Sequence, residues 1–205
     1  MKIKTSLSIL ILILTSCNLN NSTIQNDNYD KILDKKERLQ LHKKYENIGT
    51  LISTIEFGIK ATGEDIKDFE DGVIPWISIE NPESEIDRLI GSDEIVVPFS
   101  EIILNIDYPL NNPASFVLKS STNGFTKREL ILEISKLYYE IYNVEENTSN
   151  IKTIPIEQRK GVINRNQTDG KYGIWGHDIG DLDLSSIEVY KTENGKIHII
   201  LIVES

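Results

Sequence analysis

Trp175, His177, Asp178, Asp181 and Asp183 stand close together near the C-terminal end of the sequence and carry most of the chemistry it offers. An imidazole beside carboxylates can act as a general base, or can join them in holding a divalent metal. The same residues have a plainer use. The tryptophan packs over a sheet edge, the histidine bonds a backbone carbonyl, and Asp178 or Asp181 closes a turn through its side-chain oxygen. The spacing matches neither the HExxH helix of zinc hydrolases nor a Cys/His ligand pair, so no metal, no cofactor and no catalytic residue is assigned. Trp175, His177, Asp178 and Asp181 form the candidate binding surface, with Trp175 as an aromatic anchor on a shaped loop. The rival is a metal-assisted or general-base hydrolase centred on His177 and Asp178. The sequence has no Walker loop, no dinucleotide-binding glycine pattern and no Gly-x-Ser-x-Gly elbow.

Several elements must position this cluster. After it, Asn194-Gly195 lies between two apolar runs and predicts a hairpin with a two-residue type I′ turn. That turn sets Tyr190 opposite Ile199, Val189 opposite Ile200 and Ile187 opposite Ile202. The returning strand, Ile197 to Val203, is apolar on both faces apart from His198, which suits an interior strand. Leu182 and Leu184 keep one phase while Ile187 and Val189 keep the other, so a bulge is expected at Ser185-Ser186. Ahead of the cluster, Ile102, Leu104, Ile106 and Tyr108 alternate with Ile103, Asn105 and Asp107, so one face is apolar and the other mostly wet. A turn over Pro109 to Pro113 and a strand with Phe116 and Leu118 make a second hairpin.

Thr126 and Glu129 have capping-box spacing and open a helix expected to reach about Val144. Leu130, Ile134, Leu137, Tyr138 and Ile141 line one face of it, and burying them across a sheet contributes on the order of 10 kcal/mol before chain entropy. From Tyr29 to about Lys60 the spacing of Tyr45, Ile48, Ile52, Ile55 and Ile59 also predicts helix. Gly63 to Gly72 reads as a solvated acidic loop, Ile74 to Ile79 as an extended segment with a buried Trp76, and Asn81 to Gly91 as a small helix. Glu145 to Lys171 is a long polar stretch that leads into the cluster and is expected to share its surface. The fold class is α+β: an antiparallel sheet from two β-hairpins, a long helix packed across it, and a helical N-terminal region.

The start of the chain bears on the compartment. Lys2 and Lys4 form a positive end, Leu7 to Leu14 an apolar run too short to span a bilayer, and Leu14-Thr15-Ser16-Cys17 ends it. These four residues resemble the lipobox of bacterial lipoproteins. The resemblance implies a signal peptide over 1–16, acylation of Cys17 by palmitate-type chains, and anchoring in the cell membrane or outer membrane. Asn18 in place of aspartate favours the outer membrane. Residues 17–28 are polar and read as a flexible tether, and 29–205 as a single α+β domain. The formal charge of −10 becomes −12 without Lys2 and Lys4, an acidity that disfavours nucleic-acid partners. The expected partners are the membrane, through the lipid, and a protein or small ligand. The block Tyr172 to Leu182, with the Phe125 to Leu130 helix start and the final hairpin, is similar to a family of uncharacterised domains. That likeness implies no activity.

Overall fold

The computed structural model describes residues 19–41, 48–159 and 164–205, with the side chains of 29–40 in the first stretch. The signal expected over 1–16, together with Cys17, Tyr45, His42 and Val162-Ile163, lies outside the described residues. The protein is mixed α and β, with a mostly antiparallel sheet and one long helix besides the N-terminal one. In chain order the elements are α1 (Leu19–Leu41), β1 (Thr50–Glu56), β2 (Ile59–Lys60), β3 (Val73–Ile74), β4 (Ile77–Ser78), β5 (Ile95–Val97), β6 (Glu101–Ile106), β7 (Ala114–Lys119), β8 (Phe125–Thr126), α2 (Lys127–Thr148), β9 (Asp183–Lys191) and β10 (Ile197–Glu204).

The main sheet runs β1-β9-β10-β6-β7, and β4 pairs with β9 beyond the end of β1. Every pairing is antiparallel except β10 with β6, which is parallel and joins two antiparallel units. Helix α2 starts at a capping box: the Glu129 backbone N–H donates to Thr126 Oγ1 (3.1 Å), and the Thr126 N–H donates to Glu129 Oε2 (2.8 Å). Its stripe of Leu130, Ile131, Ile134, Leu137, Tyr138 and Ile141 shares one core with Ile102, Leu104, Ile106, Ile187, Val189, Ile199 and Leu201 of the sheet. The buried Tyr138 hydroxyl donates to the Tyr108 carbonyl (2.8 Å), so that ring brings its polar end to a partner.

Four expectations are corrected. The helix predicted from Tyr29 to Lys60 is described as far as Leu41, and Thr50–Glu56 is instead an edge strand in which Ile55, paired with Ile187, is the buried residue. Residues 19–28, part of the segment expected to be a flexible tether, have helical backbone. Trp76 is half-buried, edge-on to Phe69 at 5.7 Å, and Ile74, Ile77 and Ile79 fill the interior there instead. The small helix over Asn81 to Gly91 is two 3-10 turns, Pro82–Ser84 and Ile86–Arg88.

The β9–β10 register is also shifted by one residue from the expected pairing. Tyr190 lies opposite His198, Val189 opposite Ile199, and Ile187 opposite Leu201. The turn has three loop residues rather than two: Gly195 N–H donates to the Thr192 carbonyl (2.9 Å) and Thr192 N–H to the Lys196 carbonyl (2.9 Å). Gly195 alone takes a left-handed conformation, φ +82°. The Thr192 hydroxyl accepts from Lys196 N–H (2.9 Å) and holds the wider loop. At the other end Ile202 pairs with Ser186 and Val203 with Leu184, which leaves Ser185 as the extra residue of a bulge. The bulge lets Leu182, Leu184, Ile187 and Val189 all point inward.

Candidate functional site

The residues from Tyr172 to Gly176 run between two other segments as the middle of a short backbone ladder. On one side, Asn112 N–H donates to the Tyr172 carbonyl (2.9 Å), Asn111 N–H to that of Gly173 (3.1 Å), and Trp175 N–H to that of Pro109 (3.2 Å). On the other, Thr168 N–H donates to the Ile174 carbonyl (2.9 Å) and Arg165 N–H to that of Gly176 (2.8 Å). The connection between β6 and β7 and the end of the long polar stretch thus clamp the motif. Helix α1 closes it from outside. Leu33, 4% exposed, sits over Gly176, where a Cβ would come within 3.2 Å of Leu33 Cδ2 and where φ is +73°.

Trp175, expected as an exposed anchor, is only 4% exposed and forms a floor beneath α1, so it is covered while that helix is in place. Its ring meets Tyr108 edge to face (5.3 Å, 83°), and the Lys36 ammonium lies 5.0 Å from its centre. Burial holds the Lys36 pKa below the usual range, and its Nζ donates to Asn111 Oδ1 (2.7 Å) and Gln167 Oε1 (3.1 Å).

His177 stands beside them, its Nε2 2.7 Å from Glu37 Oε1. A carboxylate only accepts, so Nε2 carries the proton of this bond and donates it to Glu37. The Tyr108 hydroxyl donates to the same carboxylate (3.0 Å to Oε2), which makes Ser205 Oγ, at 2.6 Å, the donor to the Tyr108 oxygen. Burial and the neighbouring Glu37 raise the Tyr108 pKa, so the phenol stays protonated. A glutamate-oriented imidazole is a competent general base in form.

Asp178 is not part of that pair. Its carboxylate receives Arg159 through two bonds, Nη1 to Oδ2 (2.6 Å) and Nη2 to Oδ1 (2.9 Å), with Arg165 Nε at 3.6 Å. The Arg159 pKa is raised by this hydrogen bonding. Asp181 Oδ2 accepts from Asp178 N–H (2.9 Å) and closes the turn Ile179–Asp181. Asp183 lies further off on β9, opposite Glu204 and Ser78. His177 and Asp178 are therefore neighbours in sequence with different partners. Tyr142 donates to the His177 carbonyl (2.9 Å) and fixes the backbone between them.

Two buried charges stitch the preceding polar stretch to the motif. Glu145, fully buried, accepts from Thr168 Oγ1 (2.6 Å) and from the backbone N–H groups of Gly170 (2.8 Å), Tyr172 (2.7 Å) and Gly173 (3.0 Å). Burial pushes its pKa up, but these bonds outweigh it and the carboxyl ends below its ordinary range. Arg165, 2% exposed, bonds Thr153 Oγ1, Thr168 Oγ1 and the Ile174 carbonyl, and lies over the Tyr142 ring. The stretch from Glu145 to Lys171, expected to share the cluster's surface, is tied to the motif by these bonds.

Sequence reasoning found the cluster but missed Glu37, Tyr108, Glu145, Arg159 and Arg165. For Glu145 a signal exists, since it extends the apolar stripe of α2 four residues beyond Ile141. Glu37 gives none, lying in a mixed charge run that reads as a solvated helix face. His198, half-buried on β10, has Nδ1 3.3 Å from Asn105 Nδ2, and burial lowers its pKa. No described helix is long and apolar enough to cross a membrane. Comparison with known protein families, with curated proteins and with solved structures found no match to this chain.

Proposed function

We propose that the protein is a lipid-anchored cell-envelope protein that works as a binding or interaction module. A helical N-terminal region leads from acylated Cys17 to a domain whose sheet is assembled from two hairpins. The observation that carries the anchoring is the apolar run Leu7 to Leu14 ending in Leu14-Thr15-Ser16-Cys17, the arrangement in which a lipidated cysteine becomes the first mature residue. Several acyl chains on one residue hold a protein at a membrane durably, since each buried methylene adds about 0.8 kcal/mol. The interaction surface is the region of Trp175, His177, Asp178 and Asp181. Support for binding over hydrolysis comes from the partners of His177 and Asp178: Glu37 engages one and Arg159 the other, so the two side chains are not aimed at one reacting atom.

Growth of a bacterial host on labelled palmitate tests the anchoring. The full chain is expected to take up label and to sediment with membranes, and Cys17→Ala to lose both. An unlabelled wild-type chain would end the lipoprotein proposal.

A second reading is favoured by the 2.7 Å contact between His177 and Glu37, which has the form of a general base and its orienting carboxylate. It predicts hydrolysis of a suitable ester or amide that disappears in both His177→Ala and Glu37→Gln while the fold persists. Activity unaffected by either change would remove His177 as the base. A metal-assisted form of it further predicts a rise in melting temperature with a divalent cation, since a ligand at a hundredfold excess over its dissociation constant adds about 2.7 kcal/mol.

A further inference from the structure

Through its described side chains, 29–40, helix α1 touches the rest of the protein along one narrow line. Tyr29, Leu33 and Glu37 recur every fourth residue, and Lys36 flanks them. Tyr29 Oη donates to the Arg165 carbonyl (2.6 Å) and accepts from Gly176 N–H (3.4 Å). Leu33 fits against Gly176, and Glu37 receives both His177 and Tyr108. Among the helix side chains described, Leu33 is the buried one, while Ile32 and Leu39 face outward at 50% and 63% exposure. The seat beneath is the opposite in character. Trp175 and Tyr108 form an aromatic floor, Gly176 leaves a notch the size of a leucine side chain, and His177 with the Tyr108 hydroxyl presents two donors to a carboxylate.

We propose that this seat is a receptor for a helix, that α1 occupies it in cis, and that the partner of the interaction module is a protein helix of the same pattern. That pattern is an aromatic residue, a leucine and a glutamate at i, i+4 and i+8, laid into the seat when α1 leaves it. The proposal rests on the interaction reading above and adds its regulation: Trp175 and His177 become available to a partner only on release of α1. A helix held by one leucine and a few polar contacts is suited to exchange, because an equivalent helix restores each contact that is lost. The occupant is argued from α1 itself, whose side chains show what the seat accepts.

The test uses the full chain in detergent micelles, with Trp76→Phe so that Trp175 is the one tryptophan read. Acrylamide quenching of Trp175 is expected to be weak, and to rise several-fold in Leu33→Asp. A labelled synthetic peptide of residues 27–41 is expected to bind the Leu33→Asp chain saturably. Binding at least tenfold weaker is expected to the chain with α1 intact, and also for a peptide that itself carries Leu33→Asp. The double variant Tyr29→Phe/Glu37→Ala, which buries no charge, gives the same ordering in milder form, and far-UV circular dichroism checks that α2 and the sheet persist. If Trp175 stays shielded in both folded variants, α1 is not releasable. If the peptide fails to bind a folded variant whose Trp175 is exposed, the seat is not a helix receptor. Neither outcome depends on palmitate labelling, so failure of the anchoring proposal and failure of this one are separable.

Discussion

Glu145 and Asp183 show burial acting on two carboxyl groups with opposite results. At Glu145 four donors reverse the effect of burial and hold the pKa below the ordinary range. A group depressed in the folded state adds stability at pH values above its unfolded pKa and loses it as pH falls through the folded one. Glu145→Gln keeps the shape but turns an amide N–H₂ toward backbone N–H groups. It is expected to cost about 3 kcal/mol at neutral pH, read from urea unfolding. Asp183 is pushed up to about 6, first by burial and then by Glu85 and Glu204. Its sign is the reverse: the contribution is fully present below the unfolded carboxylate pKa and is lost as pH rises through about 6. Asp183→Asn is therefore expected to melt higher than wild type at pH 8, by about 1 kcal/mol after solvent screening, with the gap closing below pH 4. A gap of equal size at both pH values would refute that origin. At this scale the sequence exposed the residue types of the cluster but not their partners. The Glu37 to His177 contact spans 140 residues, and no local pattern encodes such a distance.

Helix α2 was the most legible element, because a capping box and a stripe of apolar residues agree about it. Thr126→Ala is expected to cost about 1 kcal/mol in chemical denaturation through loss of the reciprocal cap. Glu129→Gln, which can still accept from the Thr126 N–H, is expected to cost less. The region from Ile48 to Ile59 misled because isoleucine spaced at three and four residues satisfies a helical period. Thr50, Ile52, Thr54 and Ile55 are β-branched, however, and Gly49 and Gly58 bracket them. Pairing with β9 decides in favour of the strand. The hairpin register failed for a different reason. A slip of one residue exchanges the faces of β10, yet that strand is apolar on both faces, so hydrophobicity could not choose between the registers. The choice is made by the Thr192 hydroxyl, which spans the wider turn. The Ser185 bulge could be anticipated because the polar-apolar phase itself changes there.

For the whole molecule, a mix of helix with a mostly antiparallel sheet followed from element types, whereas the parallel β10–β6 pair that orders the sheet had no sequence signature. That pair gives the domain two ends. Because β10 and β6 run the same way, the connection after β6 and the end of β10 lie together, as the Tyr108 to Ser205 contact shows. The Thr192 to Lys196 turn sits at the opposite end, about 26 Å away along the eight residues of β10. Glu193, Asn194 and Gly195 are exposed there, and nothing lies within 4 Å of a Cβ placed on Gly195. The tip is accordingly a natural handle. An epitope inserted between Asn194 and Gly195 would leave α1 and its seat undisturbed, and antibody access to it in intact cells would test whether the domain reaches the cell surface, as the anchoring proposal allows.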